Sequence, residues 1–175
     1  MNAIIRAMER RRSIRNFLPE LPDREKLDLI AESGLYAASG MGQQAAITLV
    51  VTDRKVRDRM AESLRIIDGK GEGFDPFYGA PVIMVVLGNM NRKTRVYDGS
   101  LVLSNMMLAA HSLNLGSCWI HRARNVFELD EYKEFLKEQG VEGEYEGIAF
   151  LALGRMAGEL PEAEPRKENR IFWVE

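Results

Sequence analysis

The sequence has 175 residues, 46% of them hydrophobic and 29% charged, which is typical of one soluble globular domain and excludes a disordered chain. Its net charge of −2 excludes a globally cationic nucleic-acid-binding protein and gives no reason to expect an anionic membrane surface as a partner. The single cysteine, Cys118, excludes an intramolecular disulfide and a cysteine-based metal cluster.

The sequence predicts neither a metal site nor a membrane segment. His111 and His121 are the only histidines, which leaves too few ligands for a structural zinc site. The first residues lack the long apolar core of a signal peptide, and no apolar run approaches the length of a bilayer span. We therefore expect a cytoplasmic protein that holds no metal and does not enter a membrane.

The spacing of apolar residues predicts five helices and four strands. The expected helices cover residues 2–10, 23–39, 53–67, 98–114 and 127–138, and the expected strands cover residues 45–51, 81–88, 115–120 and 147–153. Helices and strands do not alternate regularly, which favours an α+β fold over a doubly wound sheet. No repeat or linker is visible. We expect one three-layer domain over residues 1–175, with a mainly antiparallel sheet flanked by helices.

Three segments carry more specific expectations. The first helix has Asn2 as a cap and its apolar residues Ile4, Ile5 and Met8 facing inward. Helix 98–114 is apolar nearly all round, so a second buried face predicts a subunit interface and a homodimer. The polar tail ends in four apolar residues, 171–174, which we expect to dock on the chain's own sheet or on a partner's.

A short basic segment follows the first helix, with the sequence Arg-Arg-Ser-Ile-Arg-Asn-Phe at residues 11–17. In an extended backbone Arg11, Ser13 and Arg15 lie on one side, while Ile14 and Phe17 can anchor the segment to the core. Guanidinium groups offer paired donors that match phosphate oxygens. This arginine strip (residues 11–17) therefore predicts a site for an anionic cofactor; the alternative is a solvated basic face.

Five segments in order resemble the nitroreductase family of FMN-dependent oxidoreductases, over the whole length of the chain. The arginine strip is similar to that family's N-terminal flavin-binding segment, and Ala-Ala-Ser-Gly-Met-Gly-Gln-Gln to a second one. The remaining resemblance lies at residues 105–110, 115–120 and 151–154, with Pro-Arg-Lys following at 165–167. The resemblance implies one nitroreductase-like FMN-binding domain.

The resemblance implies a role for each matching residue. Arg11 and Ser13 would hold the flavin phosphate and nearby ribityl oxygens, and Arg12 belongs to the same strip. Arg166 would close on the phosphate from the tail, and Arg15 would lie near the pyrimidine edge of the ring, where reduction places negative charge.

The remaining implied residues lie on the reactive side of the ring and on the second subunit. Backbone N–H groups around Ile120, His121 and Arg122 would face the flavin N5. Because two protomers of this family build each pocket, Ser39 and Gln44 would come from the partner chain.

The implied activity is transfer of hydride from NADH or NADPH through FMN to a nitroaromatic, quinone or related acceptor by a ping-pong mechanism. The chain departs from the family pattern at Gly42, at the pair Ala45-Ala46, at Glu164 and at His121-Arg122. These departures leave two alternatives open: a non-redox flavin carrier or sensor, and a flavin dehalogenase or flavin-degrading enzyme on the same scaffold.

Other conspicuous residues are expected to be structural. His111 is interpreted as a packed core histidine on the central helix, and Cys118 as an inert buried thiol. The glycine-rich segment 69–73 is interpreted as a loop or lid, because no strand precedes it and no helix follows it. No side chain is expected to act as a catalytic acid or base.

Overall fold

The computed structural model describes residues 2–175. The helices are α1 (Ala3–Arg10), α2 (Arg24–Leu35), α3 (Arg54–Ile67), α4 (Arg95–Ser112), α5 (Ala123–Phe127) and α6 (Asp130–Glu138). The strands are β1 (Ala46–Val51), β2 (Val82–Asn89), β3 (Gly116–Ile120) and β4 (Tyr145–Gly154), and a 3₁₀ turn covers Gly40–Gly42. Within residues 2–175 no helix combines the length and the apolarity needed to cross a bilayer.

The four strands form one sheet in the order β1-β2-β4-β3, and each neighbouring pair is antiparallel. The predicted α+β fold with an antiparallel sheet is confirmed. Strands β2 and β4 occupy the centre, which explains why they are apolar on both faces rather than alternating. β1 is half-buried rather than fully buried, because it is an edge strand.

The sheet separates two helical layers. Side chains of β2 alternate between the layers, with Met84 and Val86 on one face and Ile83 and Val85 on the other. The first face packs against α2 and α4, and the second packs against α3, α5 and α6. The expected three layers are therefore present.

Three predicted helices have different bounds in the structure, and the helix expected at 98–114 is α4, which begins at Arg95 and ends at Ser112. The expected helix at 127–138 is two helices, because Leu129 adopts an extended backbone (φ −70°, ψ 138°) and turns the chain between them. This turn lets Val126 and Tyr132 enter the same core. The helix expected to end at residue 39 ends at Leu35, and the chain then forms the 3₁₀ turn.

The apolar face of α1 is not buried in its own chain. The predicted cap is confirmed, since the backbone N–H of Ile5 donates to Asn2 Oδ1 at 3.0 Å. The prediction that the apolar residues face inward is wrong, because Ile4, Ile5 and Met8 are 62%, 46% and 59% exposed. The apolar end of the tail, residues 171–174, is exposed as well, so it does not dock on its own sheet.

Candidate functional site

The arginine strip runs beside β3. Ser13 forms a parallel bridge with Ser117, and the backbone N–H of Ile14 donates to the carbonyl oxygen of Ser117 at 3.0 Å. The side chains of Ile14 and Phe17 are buried, as the alternation predicted. Gly116 permits this approach, because a Cβ atom there would lie 2.9 Å from the Ile14 side chain. The strip is thus an extended, anchored segment rather than a loose basic face.

A pocket of about 210 Å³ opens beside the strip. Arg11 and Arg12 line the pocket, and each has one buried guanidinium nitrogen, Arg11 Nη1 and Arg12 Nε, without a hydrogen-bond partner within residues 2–175. No carboxylate is among the described residues of the pocket wall. The wall consists of Arg11, Arg12, Ile14, His111, Asn114, Leu115, Gly116, Ser117, Met156 and Leu160.

The pocket has the chemistry of an anion site. A buried donor without a partner costs free energy, and the cost is larger when the group is charged. Arg12 is partly satisfied, since its Nη1 donates to the carbonyl oxygens of Glu9 at 2.6 Å and Arg11 at 2.8 Å. The Arg11 guanidinium makes no such local bond in the described chain. A phosphate group would supply the missing acceptors.

Ser13 and Arg15 lie on the strip next to the buried thiol of Cys118. Burial raises the pKa of Cys118 above its ordinary value of 9.0, and Arg15, Ser13 and Arg11 oppose this effect more weakly. The thiol is therefore protonated near neutral pH. This agrees with the interpretation of Cys118 as an inert core residue.

Arg15 extends over an aromatic ring on a neighbouring loop. Its guanidinium carbon lies 6.0 Å from the ring centroid of Tyr78. Tyr78 has a left-handed backbone (φ 55°), and both flanking N–H groups, those of Phe77 and Gly79, donate to the Asp75 carboxylate. Asp75 also pairs with the buried Arg57. Asp75 thus attaches the loop around Tyr78 to the buried Arg57. The ring of Tyr78 in turn limits the position of the Arg15 guanidinium.

His111 forms part of the pocket wall, so its interpretation as a packed core residue is wrong. Its side chain is half-buried and faces the pocket from the last turn of α4. Burial, followed by the charges of Arg11, Arg10 and Arg12, lowers the pKa of His111 below its ordinary value of 6.5. The only signal in the sequence is its position five residues before Gly116, in the last turn of a helix that leads into β3.

Ile120, His121 and Arg122 follow one another at the far end of β3. Ile120 pairs with Phe150, and the strand from Ser117 to Ile120 places it roughly 10 Å beyond the pocket end of the strip. His121 is exposed. Arg122 has a left-handed backbone (φ 71°), and its Nε lies 3.0 Å from Asp68 Oδ1. An elongated ligand lying along β3 could therefore contact the strip and this turn together.

Ser39 and Gln44 bracket the 3₁₀ turn before β1. Ser39 Oγ accepts a hydrogen bond from the backbone N–H of Gln44 at 3.0 Å. Asp98, which is only 5% exposed, accepts from the Gly40 N–H at 3.0 Å and from Thr94 Oγ1 at 2.8 Å. Asp98 thus pins the turn to α4, a role that its position near a helix start did not reveal. Ser39 and Gln44 both line a small cavity of about 70 Å³.

One chain does not bring Ser39 and Gln44 to the arginine strip. β1 and β3 are opposite edges of the sheet, three interstrand spacings or roughly 14 Å apart. Ser117 pairs with Leu153, which pairs with Val82, whereas Ala46 pairs with Gly88 at the other end of β2. The stretch from Val82 to Gly88 adds roughly 20 Å along the strands. Within one chain, the two groups of residues cannot contact the same small ligand ring.

Arg166 is not brought to the pocket. It lies in the exposed tail, where Nε and Nη2 donate to the carbonyl oxygen of Glu164 at 3.1 and 2.6 Å. The part of the tail that reaches the pocket is nearer to β4 and contributes Met156 and Leu160. A phosphate contact from Arg166 stays a prediction.

Solved structures similar to this chain include two FMN-bound nitroreductases. The protein from Bacteroides fragilis NCTC 9343 is 26% identical, with a TM-score of 0.89 and 100% coverage of both chains. The protein from Desulfitobacterium hafniense DCB-2 is 27% identical, with the same TM-score and coverage. A candidate NADH dehydrogenase/NAD(P)H nitroreductase from Bacteroides thetaiotaomicron VPI-5482 is 25% identical, with a TM-score of 0.80 and coverage of 99% and 98%.

The sequence itself supports the same relationship. No curated protein matches the chain at a significant level. A sequence model described as the Nitroreductase family matches residues 8–67 and 68–155, which include the arginine strip, the 3₁₀ turn and all four strands. The match covers most of the chain and agrees with the fold similarity, and the protein therefore belongs to the nitroreductase family.

Proposed function

We propose that this protein is an FMN-dependent oxidoreductase that takes hydride from NADH or NADPH and passes electrons to a nitroaromatic, quinone or related acceptor. The observation that carries the proposal is a pocket without carboxylates in its wall that is lined by Arg11 and Arg12, each of which has a buried guanidinium nitrogen without a partner within residues 2–175. Family membership and the FMN-bound relatives support the choice of ligand. FMN, when bound, would supply the hydride and electron chemistry.

The residues of this chain fit the parts of that cofactor. Arg11 and Arg12 would bind its phosphate, and Ser13, which lies outside the pocket wall, would donate to nearby ribityl oxygens. Arg15 would place a positive charge beside the pyrimidine edge, with Tyr78 limiting its position. The turn at Ile120, His121 and Arg122 would face the reactive edge of the ring. These side chains bind and orient; none is assigned a proton transfer.

A homodimer would complete the site. The separation of Ser39 and Gln44 from the strip supports their contribution from a second chain. The exposed apolar residues of α1, the exposed tail end and the partly exposed Leu101 of α4 give such a partner apolar surface to cover. Light scattering should report about twice the 19.8 kDa chain mass. A stable monomer that retains FMN would contradict the dimer.

Reduction of the bound cofactor by a nicotinamide separates this proposal from its alternatives. The purified protein should be yellow, and anaerobic NADH or NADPH should bleach the flavin absorbance, which an acceptor then restores. A carrier or sensor would keep its colour in the titration. A dehalogenase or a flavin-degrading enzyme would need its own substrate, or would lose the flavin irreversibly in oxygen. A colourless protein that cannot be reconstituted with FMN would contradict the proposal itself.

A further inference from the structure

We propose that His111 is a third phosphate contact in the pocket and that it takes up a proton when the phosphate binds. This inference rests on the proposed FMN site and assigns to this chain a donor outside the arginine strip. The consequence is that recognition of the phosphate, and not of the flavin ring, depends on pH through one side chain.

His111 and residues of the strip line the same pocket. The last turn of α4 brings His111 into the pocket wall that also contains Arg11 and Arg12. The imidazole is half-buried and lines the pocket, so a ligand in the pocket can reach it. An anion seated between strip and helix would contact donors from both sides.

The surroundings of His111 explain why phosphate binding should be accompanied by uptake, and not release, of a proton. The charged groups that act on the imidazole are Arg10 from α1 and Arg11 and Arg12 from the strip. The other residues of the pocket wall are uncharged. They include Asn114, between α4 and β3, and Leu160 from the tail. Burial and, less strongly, the charges of these three arginines disfavour the imidazolium in the free pocket. A phosphate dianion would reverse that balance, since an opposite charge at contact distance favours the charged form.

Linkage then predicts a measurable proton uptake. A ligand that binds the protonated imidazole more tightly raises its pKa, and the affinity for that ligand increases as the imidazole becomes protonated. The phosphate group of FMN itself titrates near pH 6, so the pH dependence of FMN affinity in one protein alone does not identify which group takes up the proton. That contribution cancels in the ratio between two variants, which isolates the imidazole.

The experiment compares FMN with riboflavin, which lacks the phosphate, in wild type, His111→Gln and His111→Lys from about pH 5 to 8. Near pH 6 we expect His111→Gln to bind FMN roughly tenfold more weakly than wild type, for the loss of one charge-assisted bond. The deficit should shrink toward pH 8. Riboflavin affinity should be equal in all three proteins, which also shows that the variants are folded.

His111→Lys serves as the permanently charged control. The ratio of FMN affinity between wild type and His111→Gln should rise as the pH falls through the titration of His111, whereas the ratio between His111→Lys and His111→Gln should not rise, because lysine stays charged over this range. Histidine NMR gives a second readout: there are two histidines, so the His111 signal is the one missing from His111→Gln. Its titration midpoint should be higher in protein loaded with FMN than in protein loaded with riboflavin.

The outcomes separate this inference from the proposed function. Tight FMN binding with a wild type to His111→Gln ratio that does not vary with pH, and an unmoved midpoint, would overturn the role of His111 and leave the FMN site intact. Failure of every variant, wild type included, to bind either FMN or riboflavin would overturn the proposed function and this inference with it.

Discussion

The backbone N–H of Ile14 donates to the carbonyl oxygen of Ser117 at 3.0 Å, which joins the arginine strip to an edge strand 103 positions later in the chain. Because Ile14 is buried beneath this bond, the side chains on either side of it, Ser13 and Arg15, are held on the other face of the segment. This attachment to β3 therefore determines the orientation of the side chains of the strip. Loosening it should therefore affect the cofactor as well as stability.

Gly116 offers the first test of that attachment. A Cβ atom there would lie 2.9–3.0 Å from three side-chain atoms of Ile14, so Gly116→Ala should push the strip away from β3. We expect a loss of about 1–3 kcal/mol in the free energy of unfolding, together with weaker FMN binding. Chemical denaturation and FMN titration would measure both.

Gly71→Ala is the matched control, because a Cβ atom at Gly71 would meet nothing within 4 Å. That variant should retain both stability and FMN affinity. Equal behaviour of the two alanine variants would show that the contact between Ile14 and Gly116 does not position the strip.

The buried Arg57 predicts a large loss of stability on substitution. It is 2% exposed, pairs with Asp58 at 2.9 Å and with Asp75, and donates to the carbonyl oxygen of Ala80 at 3.1 Å. Arg57→Met would leave these acceptors without their donor, and we expect a loss of about 3 kcal/mol in urea unfolding. Arg54→Met on the same helix removes only an exposed pair with Asp58, so its loss should stay below about 1 kcal/mol. Similar losses would contradict the assigned role of Arg57.

The environment of His111 predicts how stability depends on pH in the protein without cofactor. Its pKa in the folded chain is lower than the ordinary 6.5, so protonation favours the unfolded chain. The stabilising contribution is complete above pH 6.5 and is lost as the pH falls through the folded value. Wild type should therefore lose more stability than His111→Gln below about pH 6.5. Parallel stability curves for the two proteins would show that burial and the charges of Arg11, Arg10 and Arg12 do not lower the pKa of this imidazole.

Arg15 should affect the potential of the flavin more than its retention. If its guanidinium lies beside the pyrimidine edge, Arg15→Ala removes positive charge where reduction adds negative charge, and the midpoint potential should fall. A spectroscopic redox titration at fixed ionic strength would measure this, since salt screens the effect. An unchanged potential would show that Arg15 lies elsewhere.

Much of the fold follows from local patterns in the sequence. Continuous apolar runs predicted the two central strands, and Asp53 predicted the start of α3, where its side chain accepts from the Val56 N–H at 2.9 Å. The features that were missed depend on distant packing. The break at Leu129 serves a core built by α5 and α6 together, and no glycine or proline marks it.

In the candidate site, too, local sequence patterns predicted some features, while features that depend on distant residues were missed. The alternation of residues 11–17 predicted the two buried anchors, Ile14 and Phe17, but not that Arg11 would share the pocket wall with Arg12 and Ile14. The roles of His111 and Asp98 were not recognised, because they depend on residues far away in the sequence: Arg11 and Arg12 for His111, and Gly40, which is 58 positions away, for Asp98. The exposure of Ile4, Ile5 and Met8 was also unforeseen, since an amphipathic helix does not itself specify which chain covers its apolar face.

The most direct test of the central claim is the affinity of Arg11→Ala for FMN compared with riboflavin. If Arg11 Nη1 is the unpaired donor that binds the phosphate, the variant should lose roughly 1.5–3 kcal/mol of FMN binding free energy at fixed salt. Its affinity for riboflavin should equal that of wild type. An FMN affinity unchanged in Arg11→Ala would contradict the account and would show that the arginine strip is a solvated basic face.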